Sequence, residues 1–293
     1  MTTAPASEAP QRPGVRPASF ADEVRAEWIK FRTIRSTWIS LLVGVALMIG
    51  LGALIAWAGA HAYQRRGFSE EAQFDPTTVA FAGLLFAQLA IGVLGVLVVT
   101  NEYSSGLIRS TLQAVPKRWR VLAAKALVFA VITLIAGEIA SFVTFLVTQP
   151  ILHSYPDVPY ATLGGTIHGG RYPGHAGILR AVVGGGLYLA AVGLLSLGIG
   201  CILRHTAAAI ASVVALLFVL PLVSQAFPSS WGGPIREYLP TGAGGQIYAS
   251  LHVPPGVHGL PPHLGPWPGF LILCLYVVAA LIGAWLVLDR RDA

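Results

Sequence analysis

Six stretches of the chain are apolar without the alternation of a half-exposed strand and without the polar stripe of a soluble helix. They run over about 38–60, 79–100, 126–151, 181–203, 206–227 and 270–288. Each is close to the roughly 20 residues that a helix needs to cross the hydrocarbon core of a bilayer. Continuous apolarity selects helices over a β-barrel, whose strands alternate. The pattern predicts an all-α, polytopic membrane fold with six transmembrane helices inside residues 37–290. Only Arg204 and His205 separate the fourth and fifth stretches, which predicts a tight helical hairpin, and Pro221 predicts a kink in the fifth.

Upstream of the first stretch the pattern changes twice. Residues 1–19 are polar and rich in Pro, Ala and Ser, with no short apolar run before a cleavage site, and read as a disordered tail. Residues 20–36 place Phe20, Val24, Trp28 and Phe31 at spacings of three and four, with charged residues between them. That is an amphipathic helix. It could pack on another domain, but its place beside the first span, with Lys30, Arg32 and Arg35 at its end, favours the membrane interface.

Composition closes off the soluble alternatives. Hydrophobic residues make up 55% of the 293, and charged residues 11%, too few to cover the surface of a soluble domain. The net charge of +6 could suggest nucleic acid, yet the placement of the basic residues explains it without one. With the N-terminus inside, only Arg65, Arg66, Arg171, Arg180 and Arg236 fall outside, and the other Lys and Arg residues lie on inner segments. The positive-inside rule thus predicts both termini in the cytoplasm, in keeping with an even number of spans. Cys201 and Cys274 both lie in apolar runs and form no disulfide framework or metal pattern.

Under this topology seven of the eight histidines (His61, His153, His168, His175, His252, His258 and His263) fall on the outer side. Their irregular spacing gives no metal-ligand pattern. The outer loop 228–268 is rich in Pro and Gly, and 234–239 and 243–251 could each form a short helix parked at the outer surface. Small residues recur four apart in the spans: Ala207, Ala211 and Ala215 in the fifth, Ala279 with Gly283 and Ala280 with Ala284 in the sixth. Gly184, Gly185 and Gly186 lie together in the fourth. Such stripes let helices approach closely in lipid.

Two polar residues sit inside spans, Gln88 in the second and Glu138 in the third. A carboxylate at that depth costs about 2.5–3.5 kcal/mol on insertion scales, so Glu138 should face the bundle interior or water. It reads either as a substrate or proton contact or as a structural group hydrogen-bonded to neighbours such as Ser141 and Thr144. No acid, His or Ser constellation gathers at one depth, which argues against an intramembrane enzyme.

The most informative segment is Asn101 to Lys125, between the second and third spans. Gly106 and Pro116 punctuate it, Ser104 can cap a short helix, Leu107, Ile108, Leu112 and Val115 give that helix an apolar side, and Arg109, Lys117, Arg118 and Arg120 surround it with charge. By its residues it is either a handle that a cytoplasmic partner can pull or a basic loop gripping anionic headgroups. The pattern Glu102, Tyr103, Gly106, Ile108, Arg109, Thr111, Leu112, then Pro116 and Arg118, resembles the loop after the second span of ABC-2 type permeases, the membrane subunits of a class of ABC exporters. The segment Tyr238-Leu239-Pro240-Thr241-Gly242-Ala243-Gly244 resembles a stretch of their actinobacterial members, and the Glu-Trp-Ile-Lys run of the first helix is similar too.

The resemblance implies a transport subunit and not an enzyme. Two permease subunits, identical or related, would form the pathway. Two copies of a separate cytoplasmic ABC ATPase would carry ATP and Mg and would dock on the coupling segment 101–120. No cofactor is implied on this chain, which lacks the G-x-x-x-x-G-K-[ST] phosphate loop. It also implies export across the plasma membrane. The alternative that the residues alone leave open is an ion-coupled carrier working through Glu138.

Overall fold

The computed structural model describes residues 19–66, 74–107, 118–168, 174–175, 177–250 and 264–291. The expectations for the tail before Ser19, for residues 108–117 and for 251–263 lie outside these described residues. The interfacial helix spans Phe20–Thr33, and six long helices follow. The first span is Arg35–Arg66. The second is Pro76–Ala80 joined through a 3-10 turn, Phe81–Gly83, to Leu84–Ser104. The third is Arg118–His153 and the fourth Ile178–Leu203. The fifth runs from Thr206–Val214 through a π-helical stretch, Ala215–Val219, to Leu220–Val223, and the sixth is Pro266–Arg291. All six are long and apolar enough to cross a membrane. The chain is a helical, multi-pass membrane protein.

Several helices outrun their apolar runs. The third begins at Arg118 and not near residue 126, and the second continues to Ser104 past residue 100. A backbone already helical in lipid keeps its hydrogen bonds by continuing into the interface until a residue breaks it. That residue is Gly106, whose φ of 74° ends the turn. Ser104 consequently caps no new helix; its hydroxyl donates back to the Asn101 carbonyl. In the fifth span Pro221 has no N–H to donate and crowds the preceding turn, and the disruption takes the form of the π-helical stretch just before it.

The fourth span is the hub, with 67% of its apolar window buried. Its glycines make the hub possible: Gly185 lies against Ser141 of the third span, and Gly198 against Ala280 of the sixth. The fifth span, by contrast, is only 17% buried. The expected alanine stripe is not its packing face. Ala207 and Ala211 are exposed, and Ala209, Val213 and Leu217 are buried instead. In the sixth span Ala280 and Ala284 are buried while Ala279 is exposed.

The interfacial helix, the start of the third span and the end of the sixth share one face of the bundle, called here the terminal face. Two arginines hold it together. Arg118 donates to the carbonyl oxygen of Leu288 at 2.8 Å, and Arg204 to that of Val287 at 2.9 Å. Both satisfy carbonyls that the last helical turn leaves without partners.

On the opposite face, three strands too short to leave a sequence period, Tyr160–Ala161, Thr166–His168 and Gly174–His175, form an antiparallel sheet in that order. Tyr160 lies opposite His168, and Ile167 opposite Gly174. The two short helices expected in the long loop are Ser229–Tyr238 and Pro240–Gly245. The second is not parked on a surface: Pro240, Ala243 and Gly244 are buried, and Gly244 backs onto Tyr188 and Leu273. Arg180 clips the following segment by donating to the carbonyls of Ile247 and Ala249 at 2.9 and 2.8 Å. Asp75 accepts from the Ser250 hydroxyl at 2.6 Å. Burial alone would raise the Asp75 carboxyl, but the hydroxyls of Ser250, Thr77 and Thr78 hold it below its usual value.

Candidate functional site

The site is built first from the interfacial helix. Ser19 and Asp22 form a capping box: the Ser19 hydroxyl accepts from the Asp22 amide, and the Asp22 carboxylate accepts from the Ser19 amide. The cap fixes where the helix starts and therefore which residues face the bundle. The four apolar positions expected to form one face separate. Phe31 is buried, edge-on to Trp38 and 6.4 Å from the Phe129 ring, and Val24 packs on the core. Phe20 and Trp28 point outward, 37% and 45% exposed. The docked face is completed by two acids, Glu23 and Glu27, which with Phe31 recur every four residues. The helix thus docks on the third span through charge as well as through apolar contact.

Those acids meet cations from the third span and another acid from the second. The Lys125 ammonium donates to Glu27 Oε2 at 2.7 Å and to Glu102 Oε1 at 2.8 Å. Lys30 donates to Glu27 Oε1 at 2.7 Å and to Glu102 Oε1 at 3.1 Å. Arg120 lies 3.4 Å from Glu23 Oε1. Lys125, Glu27 and Glu102 are all buried. Charges so far from water are tolerated only when each is paired and hydrogen-bonded. Three carboxylates meet three cations, so the cluster is balanced within itself. One lone pair is left over: Glu102 Oε2 is buried and has no hydrogen-bond partner among the described residues.

The pairing has a pH signature. Burial alone would raise the Glu27 carboxyl, but the ammonium groups of Lys125 and Lys30 outweigh it and hold the group below its ordinary 4.5. Burial alone would lower Lys30, but Glu27 and Glu102 outweigh it and raise the group above its ordinary 10.5. A depressed carboxyl contributes stability that is complete above pH 4.5 and is lost as pH falls through the depressed value. A raised ammonium contributes stability that is complete below pH 10.5 and is lost as pH climbs past the raised value. A spin label on exposed Ala26→Cys is therefore expected to keep one mobility between these limits and to loosen on the acid side. A spectrum unchanged well into the acid range would show that Glu27 does not hold the helix.

Beside the cluster lies a cavity of about 550 Å³ between the interfacial helix and the first three spans. Phe31, Leu94, Leu97, Val98, Val128 and Phe129 form its apolar wall. Lys30, Glu102 and Lys125 stand at one side, with hydroxyls and an amide on the rim.

Of the other residues expected in the coupling segment, Tyr103 lies under Arg204, whose guanidinium carbon is 5.2 Å from the ring centroid. Gly106 is exposed, with open space where a Cβ would stand. Arg118 turns to the sixth span as described. Arg109, Thr111, Leu112 and Pro116 lie outside the described residues. In mid-bundle, buried Gln88 accepts from the Tyr188 hydroxyl, tying the second span to the fourth. Glu138 is half-buried beside Gly186. The expected bonds to its neighbours do not form: Ser141 donates to the Val182 carbonyl, and Thr144 Oγ1 has no partner among the described residues. In the outer motif, Tyr238 is 54% exposed and Leu239 half-buried, while Pro240, Ala243 and Gly244 sit in the bundle. His61, His153 and His168 stack on Trp57, Tyr155 and Tyr160, and the described residues hold no metal-ligating group of three. His252, His258 and His263 lie outside the described residues.

Sequence reasoning missed Glu23, Glu27, Lys30, Arg120 and Lys125 as one unit. A signal was present: Glu23 and Glu27 are four apart on the same side as Phe31, and Lys125 directly abuts an apolar run. Residues 24–163 match a family model described as ABC-2 family transporter protein. The match takes in all of the cluster but Glu23, together with the cavity and the first three spans. Among curated proteins, none matches the chain.

Proposed function

With residues 24–163 identifying the chain as an ABC-2 family transporter protein, a membrane permease, we propose that it forms the substrate pathway of an exporter and is driven by a separate ATPase subunit. The observation that carries this reading is the buried cluster. Glu102 closes the second span and Lys125 opens the third, so they flank the loop on which a partner would seat, and Glu27 fastens the interfacial helix to both. A push on that loop would move three helical elements together, as a two-state device biased by its partner requires. In this reading the ATPase binds ATP and Mg, two ATPase copies serve two permease copies, and both chain ends lie in the cytoplasm of a plasma-membrane protein.

The fifth span supports the second permease copy. Ala207, Ala208, Ala211 and Ser212 present a small, uncovered face, the composition that lets helices pack closely in lipid. The family match favours ATP coupling over an ion-coupled carrier. Glu138, the residue on which a carrier would depend, makes no ion pair among the described residues.

Gly106→Cys tests the reading. The exposed position should react with a membrane-impermeant maleimide only from the cytoplasmic side and should crosslink to an ATPase subunit co-expressed with the chain. The purified chain should hydrolyse no ATP until that subunit is added. Labelling from the outside would overturn the topology and the coupling together.

A further inference from the structure

The cavity under the interfacial helix is the one large space among the described residues whose lining also leaves a buried polar atom without a partner. Its volume of about 550 Å³ is that of a small-ligand site, for which the usual range is about 300–1,000 Å³. It has the composition of one too, an apolar wall with a few polar groups to one side. It lies where the interfacial helix meets the ends of the spans, the depth at which an amphiphile keeps its tail in lipid and its head at water.

The head that fits can be read from the charges. Lys30 and Lys125 are already shared between Glu27 and Glu102. A cationic head would meet those ammonium groups, and an anionic head would meet the carboxylates, each upsetting a balanced set. Glu102, whose side chain is only 10% exposed, keeps Oε2 unpartnered among the described residues. A carboxylate oxygen accepts hydrogen bonds and gives none. The rim adds Ser36, Ser40, Asn101 and Ser105, uncharged groups that donate and accept. We propose that this cavity binds a neutral, hydroxyl-bearing amphiphile, with a head hydroxyl donating to Glu102 Oε2 and the tail lying along Leu94, Leu97 and Val128. The site needs no ATPase subunit, so it stands or fails separately from the coupling reading.

The test uses the full chain in phosphatidylcholine nanodiscs with Ser40→Cys as reporter and N-ethylmaleimide as label. Three probes share a dodecyl tail: dodecyl glucoside, dodecyltrimethylammonium and dodecyl sulfate. Dodecyl glucoside is expected to slow the labelling about tenfold when present at about ten times its Kd, and the charged probes to leave it nearly unchanged. A further arm places dioleoylglycerol in the disc. Protection by dioleoylglycerol as well assigns the site to a membrane lipid, and protection by the single-chain probe alone assigns it to a free amphiphile. Leu97→Trp, which fills the cavity without touching an ion pair, should abolish protection in either case. Equal protection by all three probes would overturn the head-group assignment. No protection, or protection that survives Leu97→Trp, would overturn the site.

Discussion

Replacing Lys125 with methionine is expected to undock the interfacial helix and to abolish the ATP-driven transport proposed here. The substitution keeps the length and the apolar stem but removes the ammonium that Glu27 and Glu102 share at 2.7 and 2.8 Å. Two buried carboxylates then face each other across Lys30 alone. Breaking a buried pair by deleting one partner costs about 3–5 kcal/mol, because the surviving charge stays out of water unpaired. Arg120→Met is the contrast. Its contact with Glu23 is 3.4 Å long and its side chain 22% exposed, so the loss should be about 1 kcal/mol or less. Thermal unfolding of the purified chain measures both. The triple variant Lys125→Met, Glu27→Gln, Glu102→Gln distinguishes charge from packing. It removes the orphaned carboxylates and should recover most of the stability, while transport should stay low if the ion pairs carry the motion. A Lys125→Met protein as stable as its parent would show that the cluster is solvated and holds nothing.

The contrast between the spans and this cluster shows what the sequence could reveal. The spans were legible because lipid imposes one rule on every residue of a crossing helix. The apolar run at 181–203 and the helix Ile178–Leu203 therefore nearly coincide. The same rule falls silent at the interface, which is why eight helical residues before Ala126 went unread. Lys125 finds Glu27 and Glu102 from 98 and 23 positions away, and no local period links them. In the first helix the apolar positions were identified correctly but not their separate destinations, because a period fixes a face and not what covers it. The helix Pro240–Gly245 holds three glycines in six residues and reads as a turn. Burial between Tyr188 and Leu273 overrides that weak propensity. The cavity is a shape, and it exists only once four elements are assembled.

Gly95→Leu is expected to be the most damaging single change inside the membrane, because it strikes where the second and fourth spans touch backbone to backbone. A Cβ at Gly95 would stand 2.6 Å from the Gly193 carbonyl oxygen and 3.2 Å from the Leu197 amide nitrogen. Neither atom can swing away as a side chain would, so the helices must separate. Gly193 is itself tight against the Phe129 ring, where a Cβ would approach to 2.9 Å, so the fourth span cannot yield without disturbing the third. Overpacking a tight core costs about 1–3 kcal/mol where side chains adjust, and occasionally more. With backbone on one side of the clash, the expected cost is at or above the top of that range. Gly50→Leu is the matched control, since that glycine is exposed and has nothing within 4 Å of the added carbon. It should fold and unfold as the parent does. Folded yield and thermal unfolding of the two variants side by side decide the matter. If Gly95→Leu behaved like Gly50→Leu, the fourth span would not be the hub of the bundle, and the route from the buried cluster through the second span to the centre would have no rigid element to carry it.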